Sequence, residues 1–340
     1  MRWCLSVMLG LGLLLPGVAG AASGPEPVRV MIVTAFQAER AAWETARPGG
    51  REIAVPGLPA DYPSVRCWPD RVCLVTTGMG HANAAASLAM LAAARTFDLR
   101  RTWWVVTGVA GIDPKAGTLG SAAWADWLVD FGLQWELDAR EKPKGWPTGY
   151  TGLFTAGPWQ KPSLDYGTEV YRLDPKLVRR AYELSRDVKL ADSAAAHRTR
   201  ALYPPPANRP PSVLRCDTSS GDTWFSGHYL AERAEKWVRL LTDGQGRYCT
   251  TQQEDNANYA ALVRADAAGL VDVRRVAVLR AGSNFDRPPP GGNAAANLLG
   301  FDAQGGGPPA LANLVRAAAP LVDEIAGNWP AWRDGVPEAP

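Results

Sequence analysis

The chain has 340 residues, of which 46% are hydrophobic and 21% are charged, so it can bury the core of one large domain or of two. Its 36 lysines and arginines against 34 aspartates and glutamates leave a formal net charge of +2, and the basic residues do not cluster. This balance gives no support to binding of nucleic acid or of an anionic membrane surface, and we expect neither.

The N-terminus has the pattern of a secretory signal peptide. Met1-Arg2-Trp3 precedes an apolar run over residues 4–18, and the small residues Ala19-Gly20-Ala21-Ala22 follow it. The run is shorter than the about 20 residues of a spanning helix, and the small residues match a cleavage site. We therefore predict a signal peptide at residues 1–22, a periplasmic or secreted location for residues 23–340, and no membrane insertion after cleavage.

Four cysteines remain after cleavage, and export places them where disulfides persist. Cys67 and Cys73 bracket a short turn and can bridge a hairpin, whereas Cys216 and Cys249 each stand at a predicted strand. Four cysteines allow three pairings, and the sequence does not choose among them. The cysteine spacings and the 3 histidines do not match a zinc site, so we expect no metal and no cofactor.

Predicted strands and helices alternate along the first third of the chain. The strands are expected at residues 28–36, 72–76 and 103–107, and the helices at residues 38–45 and 82–94. The second and third strands each end in a glycine-rich turn. Strands rich in β-branched residues without polar alternation indicate a sheet covered on both faces, so the fold class is predicted as α/β.

The middle of the chain is less regular. Residues 142–165 and 203–212 are rich in proline and glycine and are predicted as long loops, and Asp174 and Pro175 begin a helix that runs to residue 185. Alternation then resumes, with strands at 216–219, 248–251 and 273–279 and helices at 227–241, 255–265 and 309–325. We find no repeat and no clean break, and we expect one domain over residues 23–340.

Unusual residues follow five of the predicted strands, namely Glu39, Thr77–Gly80, Gly108–Gly111, Gln253–Glu254 and Ser283–Asn284. Ligands bind outside the carboxyl ends of strands in open α/β sheets, so we expect these groups to converge on one pocket. Each has a structural alternative: a tight turn for Gly78 and Gly80, a solvated first helical turn for Glu39, and a helix N-terminal cap for Glu254.

Trp224 and Phe225 offer a flat apolar surface that suits a purine ring. The alternative is that both rings belong to the core, where large aromatics mostly pack. Their position just after the segment Ser220-Gly221-Asp222, in company with the strand-end residues, favours base stacking.

In this order the segments resemble the nucleoside phosphorylase fold, and most closely its methylthioadenosine nucleosidase branch. Residues 30–39 are similar to its first strand and acidic loop, residues 77–85 to its sugar-side glycine turn, and residues 108–111 to its second glycine turn. Residues 220–225 resemble its base-stacking segment, and residues 280–284 stand where its base-recognising Ser-Asp occurs. The resemblance implies a three-layer α/β/α sandwich around a mixed, partly barrel-like sheet, and a homodimer.

A more specific resemblance, over the whole chain, is to the purine nucleoside permease family. It is carried by residues 138–141, 148–150, 167–171, 253–257 and 283–286. The resemblance implies that the partner is a purine nucleoside. The residues expected to bind it are Thr77, Gly78, Gly80, Gly108, Trp224, Phe225, Gln253, Glu254, Ser283 and Asp286.

Residue chemistry then suggests roles. The Glu254 carboxylate can accept both ribose hydroxyl hydrogens, and Asn284 can hydrogen-bond a base edge but cannot transfer a proton, so Asp286 or Asp222 would have to supply an acid. Phosphorylases of this fold place arginine where this chain has Val106, whereas Glu39 repels phosphate and can activate water.

We therefore expect Glu39 and Asn284 to be catalytic in hydrolysis of the N-glycosidic bond. The alternative is a non-catalytic protein that captures nucleosides for transport. Asn284 favours the alternative because it cannot act as an acid, whereas Glu39 favours the enzyme.

Overall fold

The computed structural model describes residues 24–338, so the predicted signal peptide at residues 1–22 lies outside the described residues. The strands are β1 (Glu26–Pro27), β2 (Val30–Thr34), β3 (Arg51–Ala54), β4 (Ser64–Cys67), β5 (Val72–Thr76), β6 (Phe97–Asp98), β7 (Trp103–Ile112), β8 (Ala122–Trp124), β9 (Trp127–Asp130), β10 (Trp135–Glu136), β11 (Tyr150–Thr151), β12 (Val170–Arg172), β13 (Val213–Arg215), β14 (Asp217–Ser220), β15 (Tyr248–Gln252) and β16 (Val276–Phe285). The helices are α1 (Gln37–Ala46), α2 (His81–Ala93), α3 (Pro175–Ser185), α4 (Ala194–Arg200), α5 (His228–Leu241), α6 (Asp255–Ala267), α7 (Ala294–Leu299), α8 (Gly307–Gly327) and α9 (Trp329–Trp332), with 3₁₀ turns at Val273–Arg275 and Phe301–Gln304.

One mixed sheet of 12 strands organises the fold. Nine of them run in the order β12-β9-β14-β15-β7-β2-β5-β4-β3. The central strands β5, β2 and β7 are parallel, as the predicted alternation of strands and helices requires, and β3 and β4 add an antiparallel edge.

The sheet partly closes into a barrel. β7 pairs with both β15 and β16, β16 pairs with β8, and β8 pairs with β13. The chain passes from β13 through Cys216 into β14, and β14 pairs with β15. The pairings therefore return to β7, which confirms the expected mixed, partly barrel-like sheet.

Two groups of helices cover this sheet. α2 packs against α6, whereas α1 and α3 pack against α8, which also contacts β7 and β16. Every residue of β2 and β5 is buried, as expected for parallel strands with helices on both faces. The α3 helix begins as predicted, because the Asp174 side chain accepts hydrogen bonds from the backbone N–H of Lys176 and Leu177 at 2.8 and 3.0 Å.

Two predicted strands have wrong boundaries, and the one expected at residues 273–279 ends only at Phe285. The strand expected to end at residue 107 continues to Ile112, so Gly108–Gly111 lie inside β7 and do not form a second glycine turn. This extension exists because β16 pairs with β7 along its length, which is a long-range interaction. The strand expected from residue 273 begins at Val276, because the Asp272 carboxylate accepts from Arg274 N at 3.1 Å and holds a 3₁₀ turn there.

Two disulfides decide among the three possible pairings. Cys67 bonds to Cys73 across the paired strands β4 and β5, and Cys216 bonds to Cys249 in β15. The second bond ties the start of β14 to β15, the two strands that lead to Trp224 and Glu254. As for the membrane, none of the helices within residues 24–338 has both the length and the apolar composition needed to cross one.

Candidate functional site

A cavity of about 420 Å³ lies where β2, β5, β14 and β15 end and where the later halves of β7 and β16 run side by side. This is the position at which open α/β sheets bind ligands. Six of the predicted site residues line it: Glu39, Trp224, Gln253, Glu254, Ser283 and Asn284. Six others do not: Thr77, Gly78, Gly80, Gly108, Phe225 and Asp286.

Glu39 is the most buried acid of the described cavity wall. It lies in the first turn of α1 and is only 1% exposed, unlike the solvated residue of the structural alternative. Its Oε2 accepts a hydrogen bond from Ala35 N and its Oε1 accepts one from Val109 N, both at 2.7 Å. Burial raises the pKa of Glu39 to about 7, against the lowering effect of the Arg280 charge and the two amides. At neutral pH this carboxyl can therefore both take up and release a proton.

Arg280 is a functional candidate that we did not assign from the sequence. It lies in the middle of β16, where its guanidinium is buried against two acids. Nη2 donates to Asp255 Oδ1 at 2.6 Å and to Glu254 Oε2 at 3.2 Å, and Nε donates to Asp255 Oδ2 at 3.1 Å. The only local signal is a charged residue directly after the apolar run Val276–Leu279, since a charge is rarely buried in a strand unless it is paired.

Gly108 makes room for this charge cluster. A Cβ atom at this position would stand 2.8 Å from Glu39 Oε1 and closer still to Arg280 Nη1. The glycine is needed for close approach of side chains to the β7 backbone and not for a turn. Gly108 therefore supports the site from behind its wall.

Glu254 stands at the N-cap position of α6 but its side chain does not cap the helix. Gln252 does so instead, since its Oε1 accepts from Glu254 N at 2.7 Å and from Asp255 N at 3.0 Å. The Glu254 carboxylate is turned to the cavity, where Oε1 accepts from Gly80 N at 3.2 Å. The first glycine turn, residues 77–80, thus supports Glu254. Gly78 and Gly80 have φ angles of 83° and 87° in that turn, which favour glycine.

The expected aromatic pair is divided between the cavity and the core. Trp224 is 37% exposed and meets Phe301 at a ring distance of 4.9 Å, whereas Phe225 is 4% exposed and packs on Phe131 at 5.1 Å. Adjacent residues leave the backbone in different directions, so one ring faces the cavity and the next enters a hydrophobic cluster. Stacking by Phe225 is therefore not supported, and Phe301, which the sequence did not suggest, takes its place in the wall.

A β-bulge brings Ser283 and Asn284 to the cavity together. The register of β16 against β7 shifts between Gly282 and Asn284, so consecutive side chains line the same wall. The Ser283 hydroxyl lies 3.0 Å from Asn284 Oδ1 and 3.2 Å from the Ala110 carbonyl oxygen. This edge offers an amide and a hydroxyl but no carboxylate.

The two acids suggested as proton donors lie elsewhere. Asp286 accepts from Tyr248 Oη at 2.8 Å and from Arg287 Nε at 2.8 Å in a separate buried cluster. Asp222 accepts from His81 N at 2.7 Å at the start of α2. Neither lines the cavity, because the chain turns away after Asn284 and before Trp224.

The remaining predicted position, Thr77, is buried in the first glycine turn. Its hydroxyl donates to Gly78 O at 2.9 Å and its carbonyl accepts from Ser87 Oγ at 2.7 Å, so its role is to hold the turn. The sequence reasoning also missed an apolar group in the wall, comprising Phe36, Met79 and Leu311. Only Met79 had a local signal in the sequence, since it stands between two glycines, and the structure leaves its side chain largely exposed.

The cavity is acidic and aromatic in character. Among the described residues Arg280 is the one cation of its wall, and Val106, at the position where an arginine would serve phosphate, is buried in the core. No group of three or more potential metal ligands occurs in residues 24–338. The arrangement can bind a flat apolar ring beside Trp224, pair hydroxyl groups at Glu254, and exchange a proton at Glu39.

Sequence comparison places relatives along nearly the whole chain. The family model of the purine nucleoside permease, NUP, matches residues 27–337. A probable purine nucleoside permease of Schizosaccharomyces pombe is 38% identical over 93% of this chain and 94% of its own length. A purine nucleoside permease of Candida albicans is 35% identical over 88% of this chain and 75% of its own length.

Solved structures share the fold at low sequence identity. A methylthioadenosine/S-adenosylhomocysteine nucleosidase from Colwellia psychrerythraea, in complex with adenine, is 14% identical with a TM-score of 0.53 and covers 92% of this chain and 98% of its own. Futalosine hydrolase of Helicobacter pylori is 13% identical with a TM-score of 0.52, over 88% and 98% of the two chains. These similarities confirm the predicted nucleoside phosphorylase-like fold.

Proposed function

The chain belongs to the purine nucleoside permease family, and we propose that it binds purine nucleosides outside the inner membrane and hydrolyses their N-glycosidic bond. One observation carries the hydrolytic proposal. Glu39 is buried in the wall of the same cavity as Trp224 and Glu254, with a pKa raised to about 7. A general base works best when its pKa is close to the pH at which it acts.

Binding of the nucleoside uses three parts of the wall. The purine stacks on Trp224, the ribose hydroxyls donate to the Glu254 carboxylate, and the base edge meets the Asn284 amide. Glu254 suits this role because Gly80 N donates to Oε1 while Arg280 Nη2 and Gln253 N donate to Oε2, which holds the carboxylate in place and leaves an acceptor site on Oε1. The names of the relatives, purine nucleoside permease, agree with this class of ligand.

The bond is cleaved by water that Glu39 deprotonates. A bond forms between the water oxygen and C1′ while the C1′–N9 bond breaks, and the water proton passes to the Glu39 carboxylate. The electron pair of the broken bond leaves with the purine, which takes up a proton from solvent. The Asn284 edge itself offers an amide and a hydroxyl, and neither can protonate the departing base. Asp302, the remaining carboxylate of the described cavity wall, is exposed in the 3₁₀ turn that begins at Phe301.

Replacing Glu39 by glutamine tests this role. Release of free base from inosine should fall by about 10²-fold or more, while binding of inosine persists, because an amide cannot accept the water proton. Glu44→Gln is the matched control, since Glu44 lies in the same helix and pairs with Arg40 at 2.7 Å outside the cavity. Equal loss in both variants, or no loss in Glu39→Gln, would reject Glu39 as the base.

A second function, capture of nucleosides without turnover, is favoured by the base edge. Asn284 cannot protonate a leaving purine, and Asp286 and Asp222 are both engaged elsewhere. A capture protein would bind nucleosides with micromolar or better affinity and release no base in either the wild type or Glu39→Gln. We also propose that the protein is exported, that its signal peptide is cleaved near residue 22, and that it forms a homodimer. N-terminal sequencing of the exported protein tests the cleavage, and light scattering tests the dimer.

A further inference from the structure

Asp255 holds Arg280 from behind the cavity. The carboxylate is buried, it is not part of the cavity wall, and its two oxygens accept from Nη2 and Nε of Arg280 at 2.6 and 3.1 Å. We propose that this two-point ion pair makes the site choose water over phosphate as the acceptor of the ribosyl group, and that Asp255 is therefore a positioning residue that sets acceptor specificity. The inference rests on the hydrolytic function proposed above.

Arg280 would otherwise be well suited to phosphate. A guanidinium presents its N–H groups in a planar fork that matches two phosphate oxygens, and this one is the sole cation of the described cavity wall. An arginine placed next to a bound ribose would hold a phosphate oxygen for attack on C1′. Whether it does so depends on how many of its donors remain free.

The donors of Arg280 are nearly all used. The guanidinium has five N–H groups, of which Asp255 takes two and Glu254 takes one. Nη1 donates a fourth, at 3.3 Å, to the carbonyl oxygen of Val109. One N–H is left, which cannot make the bidentate contact that phosphate recognition uses.

The net charge around Arg280 also disfavours binding of phosphate. Asp255 and Glu254 together outweigh the single charge of Arg280, and Glu39 adds a third acid within reach of it. A phosphate dianion that entered the cavity would therefore meet net negative charge at short range, in surroundings that screen charge poorly. Removing Asp255 would free two N–H groups and change this balance by one charge.

The Asp255 carboxylate pairs with Arg280 and does not cap the helix in which it lies. It occupies the first turn of α6, but the backbone N–H of Asp255 is capped by Gln252 Oε1 at 3.0 Å. Both carboxylate oxygens accept hydrogen bonds from Arg280. The acid is therefore placed for Arg280 and not for the end of the helix.

The two acceptors give different products. With water, C1′ is bonded to the water oxygen, a proton passes to Glu39, and ribose is released. With phosphate, C1′ is bonded to a phosphate oxygen and ribose 1-phosphate is released without consumption of water. The purine leaves with the electrons of the C1′–N9 bond in both reactions, so product analysis separates them.

Inorganic phosphate is the probe for the test, and Asp255→Asn and Asp255→Ala are the variants. Phosphate should raise the Tm of both variants by at least about 2 °C, because a ligand that binds only the native state stabilises it, and should leave the wild type unchanged. The phosphate Kd should tighten at least about tenfold, and ribose 1-phosphate should appear among the products of inosine. Adding Arg280→Gln to Asp255→Asn should abolish the response.

Asp192→Asn is the matched control. Asp192 holds the buried Arg200 through two contacts of 2.6 Å outside the cavity, so its loss frees a buried arginine in the same way but away from the proposed nucleoside site, and ribose 1-phosphate should not form. Ribose 1-phosphate formed by this control, or a phosphate response in the wild type or in the double variant, overturns the proposal. The proposal is also overturned if Asp255→Asn is folded and its Tm does not respond to phosphate. Loss of cooperative melting in both Asp255 variants overturns it too, because it would show that Asp255 is needed for the stability of the fold.

The test also separates this inference from the proposed function. If the wild type releases no base with or without phosphate, hydrolysis is wrong. The Tm response of the Asp255 variants to phosphate still decides whether Asp255 blocks Arg280. If the wild type hydrolyses inosine and the variants stay insensitive to phosphate, only the inference fails.

Discussion

The difference in stability between Glu39→Gln and the wild type should shift in favour of the variant as pH rises. Burial raises the pKa of this carboxyl from 4.5 to about 7, so the folded state holds the proton more tightly than the unfolded chain does. The wild type therefore loses stability as pH increases from about 4.5 through about 7, and the loss levels off above that range. Glutamine does not ionise and escapes the loss.

The size of the effect follows from the two pKa values. The interval between 4.5 and about 7 corresponds to about 3 kcal/mol of free energy of unfolding, since one pKa unit is worth about 1.4 kcal/mol. The amide also places an N–H₂ group against the backbone N–H of Ala35 or Val109, which costs about 1–3 kcal/mol. That cost does not depend on pH, so it shifts the curve without changing its slope.

Urea unfolding monitored by tryptophan fluorescence, at several values between about pH 5 and about pH 8, measures the difference between variant and wild type. Over this pH range we expect the free energy of unfolding of Glu39→Gln to increase, relative to that of the wild type, by most of the about 3 kcal/mol. Glu44→Gln, in the same helix but outside the cavity, should show no such trend. A flat or inverted pH dependence for Glu39→Gln would refute the raised pKa and the base role built on it.

Two further predictions concern the wall of the cavity, one concerns Gly108 behind that wall, and one concerns the disulfides. Trp224→Ala should weaken inosine binding about tenfold or more in calorimetry, because it removes the stacking ring, and unchanged affinity would place the purine elsewhere. Glu254→Gln should lower the affinity for ribosides but not for the free purine in the same assay, because the amide offers one acceptor oxygen where the carboxylate offers two; equal losses would contradict ribose binding. Gly108→Ala should reduce base release at least about tenfold, since its methyl group would displace Glu39 and Arg280, and full activity would mean that the cluster has no catalytic part. Thiol titration of the denatured, unreduced protein should find no free thiol from Cys67, Cys73, Cys216 or Cys249, whereas four free thiols would contradict both bonds.

Elements with strong local signals could be predicted from the sequence. The strand at Val72–Thr76 and the helix at Pro175–Ser185 match the prediction at both ends, because a run of buried β-branched residues and an Asp-Pro cap act over a few residues. The strand-end argument likewise brought Glu39 and Glu254 to one cavity, since it depends only on the direction of the strands, whereas Asn284 reaches the same cavity from a bulge inside β16. The extent of the single domain over residues 23–340 stays a prediction.

Features that depend on distant pairing could not be predicted in the same way. Gly108–Gly111 look like a turn locally, and only the pairing of β7 with β16 shows that they continue a strand. The role of Arg280 depends on α6 bringing Asp255 to it, and the separation of Trp224 from Phe225 depends on where the core lies. Such facts follow from the register and packing of the whole sheet.

The most direct measurement is analysis of the products formed when the purified wild-type protein is incubated with inosine, adenosine and guanosine, with and without phosphate. The account predicts free purine and ribose, in amounts that phosphate does not change, at a rate that rises with pH through about 7 as Glu39 loses its proton. Ribose 1-phosphate formed only when phosphate is present, or intact nucleosides under every condition, would contradict hydrolysis at this cavity.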